Sequence, residues 1–264
     1  IEKLQLPQVA QKRGFVYGSL ALVLSTVYLL YVMRVGGDFM GLHRFVMPIF
    51  VIAAIGFAMG LRTLVMQISQ ARVRQVVSAV ALVSCLALFG YSQLSLTRES
   101  LRWGNWKSDR GIDTPAYLAT YAHDRKLIGE HMRSCFRDDD FSIFGGVGAK
   151  PYYAKAKGID VFGLVSDVVA HEVPRSNPRA GHNKWAPDPL LYETYHPDFV
   201  FHCYTLSAGP ATRPLRCGTY WRGKGYQQVS LHVPGLVERG EYYTFLVDGE
   251  RVESFRQSCS GVVQ

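Results

Sequence analysis

The sequence lacks any C-x-x-C pair, although it contains five cysteines. Structural zinc sites usually draw two ligands from such a pair, so the wide spacing of these cysteines argues against a metal centre. Cys85 lies within an apolar run, and the other four lie in the polar C-terminal part of the chain. An even set of cysteines is typical of disulfide-bonded proteins in an oxidising compartment. We therefore expect no metal ligands among them and predict that this part is extracytoplasmic.

The four polar-region cysteines allow three complete pairings. They are Cys135, Cys203, Cys217 and Cys259. A turn-rich segment from Ser207 to Pro214 separates Cys203 from Cys217 and can bring two strand ends together. We predict that Cys203 bonds with Cys217, which leaves Cys135 to bond with Cys259.

Charged residues are absent from Phe15–Met33, which at about 19 residues has the length that a helix needs to cross a hydrocarbon core. Two further apolar runs lie at 46–68, with Arg62 as the only charge, and at 76–94. A signal peptide is the alternative for the first run, but its apolar part is too long and no A-x-A-like site follows it. We predict a transmembrane region, residues 1–96, with helices at about 15–33, 46–68 and 76–94.

No later stretch is apolar enough to span a membrane, and charged residues, Pro and Gly become frequent from Thr97 onward. Residues 97–264 have the length of one soluble domain. The pattern predicts a helix from Thr114–Pro115, then strands FSIF and IDVFGL with a short helix between them, then a helix in SDVVAHE. We predict an α/β domain with a βαβ unit, and a hairpin turn at Asp248–Gly249.

The chain is basic, with a formal net charge of +8. It has no interleaved basic and aromatic stripe of the kind that nucleic-acid modules use, so nucleic acid is not an expected partner. Anionic lipid head groups or a phosphate-bearing substrate fit the charge better.

The GGVGA stretch is a weak match to a dinucleotide-binding turn because Pro151 occupies the third glycine position, and a simple tight turn is favoured. The two sides of the predicted membrane region carry similar numbers of lysines and arginines near the spans, so these residues do not decide the membrane orientation.

Two separated segments carry a resemblance to a known family. The first is GGDFMGLHRFVMPIF at 36–50, and the second is GAKPYYAKAKGIDVFGLVSDVVAHE at 148–172 with RAGHNKWAPDPLLYETYHPDFVF at 179–201. Both resemble bacterial polytopic glycosyltransferases of the GT-C superfamily, in particular the mycobacterial terminal arabinofuranosyltransferase group. The residues after Cys203 add little to the match.

The resemblance implies an enzyme that moves a sugar from a polyprenyl-phosphate donor to an envelope glycan or lipid acceptor at the outer face of the inner (cytoplasmic) membrane. In that superfamily the carboxylate that serves as catalytic base lies in an early extracytoplasmic loop. The chain begins at Ile1, so we expect that base to lie upstream and this C-terminal portion to be inactive alone. A divalent cation, the donor sugar and the acceptor stay open.

The loop between the first two predicted spans then becomes a candidate site. We expect Arg44 and His43 to contact the donor phosphate, and Asp38 is a candidate catalytic group that binds a sugar hydroxyl or a metal. Gly36 and Gly37 permit a close approach of the backbone. The alternative is an ordinary interhelical loop in which Asp38 caps a turn and Arg44 reaches the lipid head groups.

A second candidate lies in RAGHNKW, at 179–185. His182 and Lys184 are predicted to bind acceptor or phosphate, and Trp185 offers an aromatic face to a sugar ring. A structural loop whose histidine bonds a backbone carbonyl is the alternative. A membrane-anchored glycan-binding or assembly module without catalysis is a second function that fits the same sequence.

Overall fold

The structure is a computed structural model that describes residues 5–35, 44–102, 114–176 and 182–263. The chain forms two compact units, which among the described residues correspond to 5–102 and 114–263.

The first unit consists of three long helices. They are α1 (Gln5–Val35), α2 (Met47–Met66) and α3 (Ala71–Arg102). A 3-10 turn at Arg44–Val46 precedes α2, and Pro48 lies in its first turn, where the missing N–H costs no hydrogen bond. The segments Val16–Arg34, Met47–Met66 and Ala71–Ser95 are long and apolar enough to cross a membrane, as predicted. The helix of α3 continues past its apolar part, so the predicted domain start at Thr97 lies inside it.

The second unit is a soluble α/β domain, as predicted. Its helices are α4 (Pro115–Met132), α5 (Ala149–Ala154), α6 (Asp167–Glu172), α7 (Asp188–Tyr195), α8 (Thr219–Gly223) and α9 (Gly249–Ser258). Its strands are β1 (Phe141–Phe144), β2 (Lys157–Asp160), β3 (Phe199–Ser207), β4 (Gln227–His232), β5 (Tyr242–Val247) and β6 (Val262–Val263). The sheet order is β2-β1-β3-β5-β4-β6. β1 pairs in parallel with β2 and β3, and the other pairs are antiparallel, so β1, α5 and β2 form the predicted βαβ unit.

The apolar core covers both faces of this sheet. On one face, α4 and α9 contribute Ile128 and Phe255, among others. On the other face, α6, α7 and α8 contribute Val169, Leu191 and Trp221. Adjacent residues of one strand alternate between the two clusters, as the pleat requires, and helices therefore shield both faces from water.

β3 contains an irregularity between Val200 and Thr205, where its pairing with β5 shifts register. Phe201 packs in the α4 and α9 cluster, whereas Cys203 packs in the opposite one. Tyr204, directly after Cys203, again packs against the α4 and α9 cluster. The shift amounts to three residues, because the four β3 residues 201–204 lie opposite Phe245 alone, and it is therefore a large β-bulge.

Two predicted helix starts are confirmed by their capping bonds. Thr114 Oγ1 accepts a hydrogen bond of 3.2 Å from Tyr117 N, and Pro115 follows at the first helical position. Ser166 Oγ accepts one of 3.3 Å from Val169 N at the start of α6. Each side chain satisfies one of the N–H groups that a helix start leaves unpaired.

The predicted hairpin turn at Asp248–Gly249 is wrong. Asp248 is the residue before α9, and its carboxylate accepts a hydrogen bond of 3.0 Å from Glu250 N. Asp and Gly favour turns and helix starts alike, and the following residues decide between the two. Val252 and Phe255 are three positions apart on one side of the helix, and both are buried in the core.

Both predicted disulfides are confirmed. Cys135 bonds with Cys259, and Cys203 bonds with Cys217, at sequence separations of 124 and 14 residues. Cys85, in α3, is free.

Candidate functional site

The carboxyl ends of β1 and β2 meet at one edge of the sheet because the two strands are parallel. The glycine turn 145–148 follows β1 there, and a Cβ on Gly145 would lie 3.5 Å from the Cα of His202 on the neighbouring strand β3. Ligands of α/β proteins usually bind at this edge, where the connections of adjacent strands leave in different directions. This edge is therefore the candidate position of a ligand site.

Asp160 shapes the loop after β2. Its buried carboxylate accepts hydrogen bonds from the backbone N–H groups of Phe162, Leu164 and Val165, at 3.2, 3.1 and 2.9 Å. The predicted strand IDVFGL consequently ends at Asp160 rather than continuing to Leu164. Gly163 adopts φ +80°, and a Cβ there would lie 2.9 Å from Ala170 N, so this turn requires glycine. The I-D-x-x-G-L residues of the family resemblance thus have a structural role.

Backbone hydrogen bonds hold the segment 182–186 beside this loop. Asn183 O accepts from Ser176 N at 2.9 Å, and Ala186 N donates to Val161 O at 2.8 Å. Lys184 Nζ donates to the carbonyls of Val169 and Ala170 near the end of α6. A cation at a helix C-terminus is favourable, and this contact supports the structural alternative for Lys184.

Aromatic rings then bring the segment to β3. The Phe162 ring centroid lies 4.4 Å from that of His182 and 5.3 Å from that of Trp185. The Trp185 centroid lies 6.1 Å from that of His202, with the rings at 75°. We call Phe162, His182, Trp185, Asp188 and His202 the His202 site. Trp185 is 42% exposed and is the large apolar side chain that this site presents to solvent.

His202 and Asp188 form a buried pair within the site. His202 Nε2 lies 3.0 Å from Asp188 Oδ1, and the side chains are 3% and 23% exposed. Asp188 is the first residue of α7, where a carboxylate is stabilised by the helix dipole. A carboxylate partner fixes the tautomer and orientation of an imidazole. The contact with Asp188 therefore fixes which edge of the His202 ring packs against Trp185.

The predicted site residues fall into three groups. Gly37, Asp38 and His43 lie outside the described residues, and of Arg44 the structure describes only its place in the turn before α2. His182 and Trp185 come together in the His202 site, whereas Lys184 turns to α6. No group of three His, Cys, Asp or Glu side chains in the described ranges is arranged to hold a metal ion.

His202 and Asp188 are members of this candidate site that sequence reasoning missed. The signal for His202 was a single polar residue in the apolar strand FVFHC. Asp188 begins a helix, where an acid is expected for reasons of helix stability alone. Their pairing depends on how α7 packs beside β3, which no local pattern reveals.

A second polar cluster lies on the opposite face of the sheet. Lys150 is fully buried, and its Nζ donates a hydrogen bond of 2.7 Å to the Tyr243 hydroxyl. Arg125, also buried, donates to the Tyr204 hydroxyl at 2.7 Å and to Glu238 at 3.2 Å. Four ring centroids lie 4.6–5.7 Å from Lys150 Nζ, those of Phe144, Phe201, Tyr204 and Tyr243. Burial, and after it the charge of Arg125, lowers the pKa of Lys150 well below its ordinary value.

Lys150→Met is expected to flatten the dependence of stability on pH. The folded protein holds the Lys150 proton less tightly than the unfolded chain does, so wild-type stability rises with pH from the folded pKa up to about 10.5. The slope in that window is at most about 1.4 kcal/mol per pH unit. Denaturant unfolding at pH 7, 8 and 9 measures it. Lys155→Met, at the exposed end of the same helix, should keep the wild-type slope; equal slopes in all three proteins would contradict the prediction.

No family model, curated protein or solved structure matches this chain.

Proposed function

We propose that the chain is the C-terminal portion of a membrane glycosyltransferase, and that the His202 site binds its envelope glycan acceptor. The observation that carries this proposal is Trp185, an indole that is 42% exposed and packs edge-to-face against His202, which in turn pairs with Asp188. The flat apolar face of a sugar ring packs well on such an indole, and polar groups beside it then fix the orientation of the sugar.

The parts of the site divide this work. Trp185 contacts the sugar ring, and His202 is a positioning residue because its side chain is only 3% exposed. The side chain of Asp188 is 23% exposed, and its carboxylate accepts a hydrogen bond from a sugar hydroxyl through the oxygen that does not face His202. Phe162 also packs against the indole, with the two ring centroids 5.3 Å apart.

We propose that the polyprenyl-phosphate donor binds at the loop before α2. There Arg44 and His43 would hold the phosphate of the polyprenyl-linked sugar, Gly37 would admit it, and Asp38 would contact the transferring sugar. Two disulfides in the soluble domain support an extracytoplasmic location for it. We propose that the protein is a multi-pass protein of the inner (cytoplasmic) membrane, with membrane lipid around its helices.

Trp185→Ala is expected to weaken glycan binding at least tenfold, because it removes the ring on which the sugar stacks. The measurement is calorimetric titration of the whole chain in detergent with arabinofuranose oligosaccharides from the envelope. Asp188→Asn should weaken binding less, since the amide still bonds a hydroxyl.

Tyr152→Ala is the matched control for this experiment. Tyr152 is an exposed aromatic residue on α5, outside the His202 site, and its loss should leave the affinity unchanged. Wild-type affinity in Trp185→Ala would remove the His202 site from glycan binding. A loss in both variants would show that the glycan adsorbs to exposed aromatic rings in general.

The second candidate function is a membrane-anchored glycan-binding or assembly module without catalysis. The observation that favours it is that the His202 site, as described, supplies a binding surface with its histidine buried. Transfer of labelled sugar from a polyprenyl-phosphate donor distinguishes the two, when it is measured in membranes that contain the whole protein of which this chain is proposed to be the C-terminal portion. Binding without transfer supports the module.

A further inference from the structure

A groove in the first unit lies between α2 and α3. It has a volume of about 580 Å³, and its lining includes Phe57, Leu61, Arg62, Arg74, Ser78 and Leu82. Most of this lining is apolar, and the two arginines are its charged members.

The arginines have no acidic side chain on these helices near them. The sequence contains no aspartate or glutamate between Asp38 and Glu99, a stretch that includes all of α2 and most of α3. An arginine in a membrane segment is costly unless an anion or water stabilises its charge. The groove therefore has two positive charges for which neither α2 nor the apolar part of α3 supplies a carboxylate.

Both arginines lie near the helix ends at the short connection 67–70. Arg62 is in the last two turns of α2, and Arg74 is in the first turn of α3. At the ends of membrane spans, arginine side chains meet the lipid phosphates. Leu82 lies eight positions beyond Arg74, about 12 Å deeper along the helix at 1.5 Å per residue. The groove is thus charged at the membrane surface and apolar towards the membrane interior.

We propose that this groove binds one anionic glycerophospholipid of the surrounding membrane. Its phosphate lies between Arg62 and Arg74, which donate charge-assisted hydrogen bonds to it. One acyl chain lies along Phe57 and Leu82. The lipid then joins α2 to α3 and neutralises the charge that these helices leave unbalanced, independently of any glycan bound by the soluble domain.

Native mass spectrometry of the full chain tests the proposal. The protein, in a nonionic detergent, is titrated with phosphatidylglycerol or phosphatidylcholine, and the bound lipid is counted. Wild type should retain phosphatidylglycerol at least tenfold better than phosphatidylcholine. The double variant Arg62→Gln and Arg74→Gln should lose this preference.

Two variants separate the groove from its general surroundings. Arg72→Gln removes a charge from the same first turn of α3 but not from the groove lining, and should bind as wild type does. Ser78→Phe fills the groove while both arginines remain, and should lose the lipid. The hydrogen bond that Ser78 Oγ donates is to Arg74 O of its own helix, at 2.9 Å, so its loss does not remove a hydrogen bond between α2 and α3.

Several results would overturn the proposal. One is equal retention of phosphatidylglycerol by wild type and the double variant, and another is equal retention of the two lipids by wild type. Displacement of the lipid by millimolar inorganic phosphate would show a simple anion site. Displacement by an equimolar polyprenyl phosphate would assign the groove to an isoprenoid instead of a glycerophospholipid.

Discussion

Replacing Cys135 and Cys259 together by alanine is expected to lower the free energy of unfolding by about 5 kcal/mol, against about 3 kcal/mol for Cys203 with Cys217. The difference follows from the separations of 124 and 14 residues along the chain. A disulfide reduces the conformational entropy of the unfolded chain, and it does so more when it closes a longer loop.

Guanidinium unfolding of the full chain in detergent, followed by near-ultraviolet circular dichroism, measures both losses. Double replacement leaves no unpaired thiol that could form new bridges. A larger loss for the short loop would contradict the entropic argument. It would indicate instead that Cys203–Cys217 stabilises the folded state directly, next to the irregularity in β3.

Arg251→Met is expected to cost about 3–5 kcal/mol of stability, because it leaves a buried carboxylate without its counter-charge. Arg251 Nε and one terminal nitrogen donate to the two oxygens of Asp140, at 2.8 and 2.9 Å. The same nitrogen donates to the Cys135 carbonyl at 3.0 Å, so α9 is joined to the turn that follows α4. Both partners of the ion pair are about 4% exposed.

A double-mutant cycle with Asp140→Asn tests this reason for the loss. The double variant should be more stable than Arg251→Met alone, because it has no isolated charge to bury. Arg239→Met, at an exposed arginine, should change stability by less than about 0.5 kcal/mol. Additive losses in the cycle would show that Arg251 acts through packing rather than through charge.

Local signals were sufficient for the parts of the fold that depend on neighbouring residues. Thr114 followed by Pro115 marks a helix start in any context, and uninterrupted apolar runs identify the spans by length alone. The disulfide pairs were also predicted, since the turn-rich segment between Cys203 and Cys217 restricts the choice. Local signals were not sufficient at Asp248–Gly249, because the same two residues suit both a hairpin turn and a helix start.

The sites depend on residues distant in sequence, and there prediction fell short. Lys150 is an ordinary lysine in a short helix until rings from β3 and β5 pack around it, and nothing in the helix sequence AKPYYA signals its burial. His202 likewise gains its role from Asp188 and Trp185 only when α7 packs beside β3. Trp185 was predicted because an aromatic residue in a polar loop is visible in the sequence itself.

The bulge in β3 makes this strand a poor place for a deletion. Three extra residues there let Cys203 bond with Cys217 on one face while Tyr204, the next residue, accepts the Arg125 hydrogen bond on the other. Losing a single residue between Val200 and Thr205 would exchange the faces of all later side chains in the strand. The covalent bridge and the buried arginine would then both lose their partners. Length variation in this domain should therefore occur in its loops, and β3 should keep its residue count.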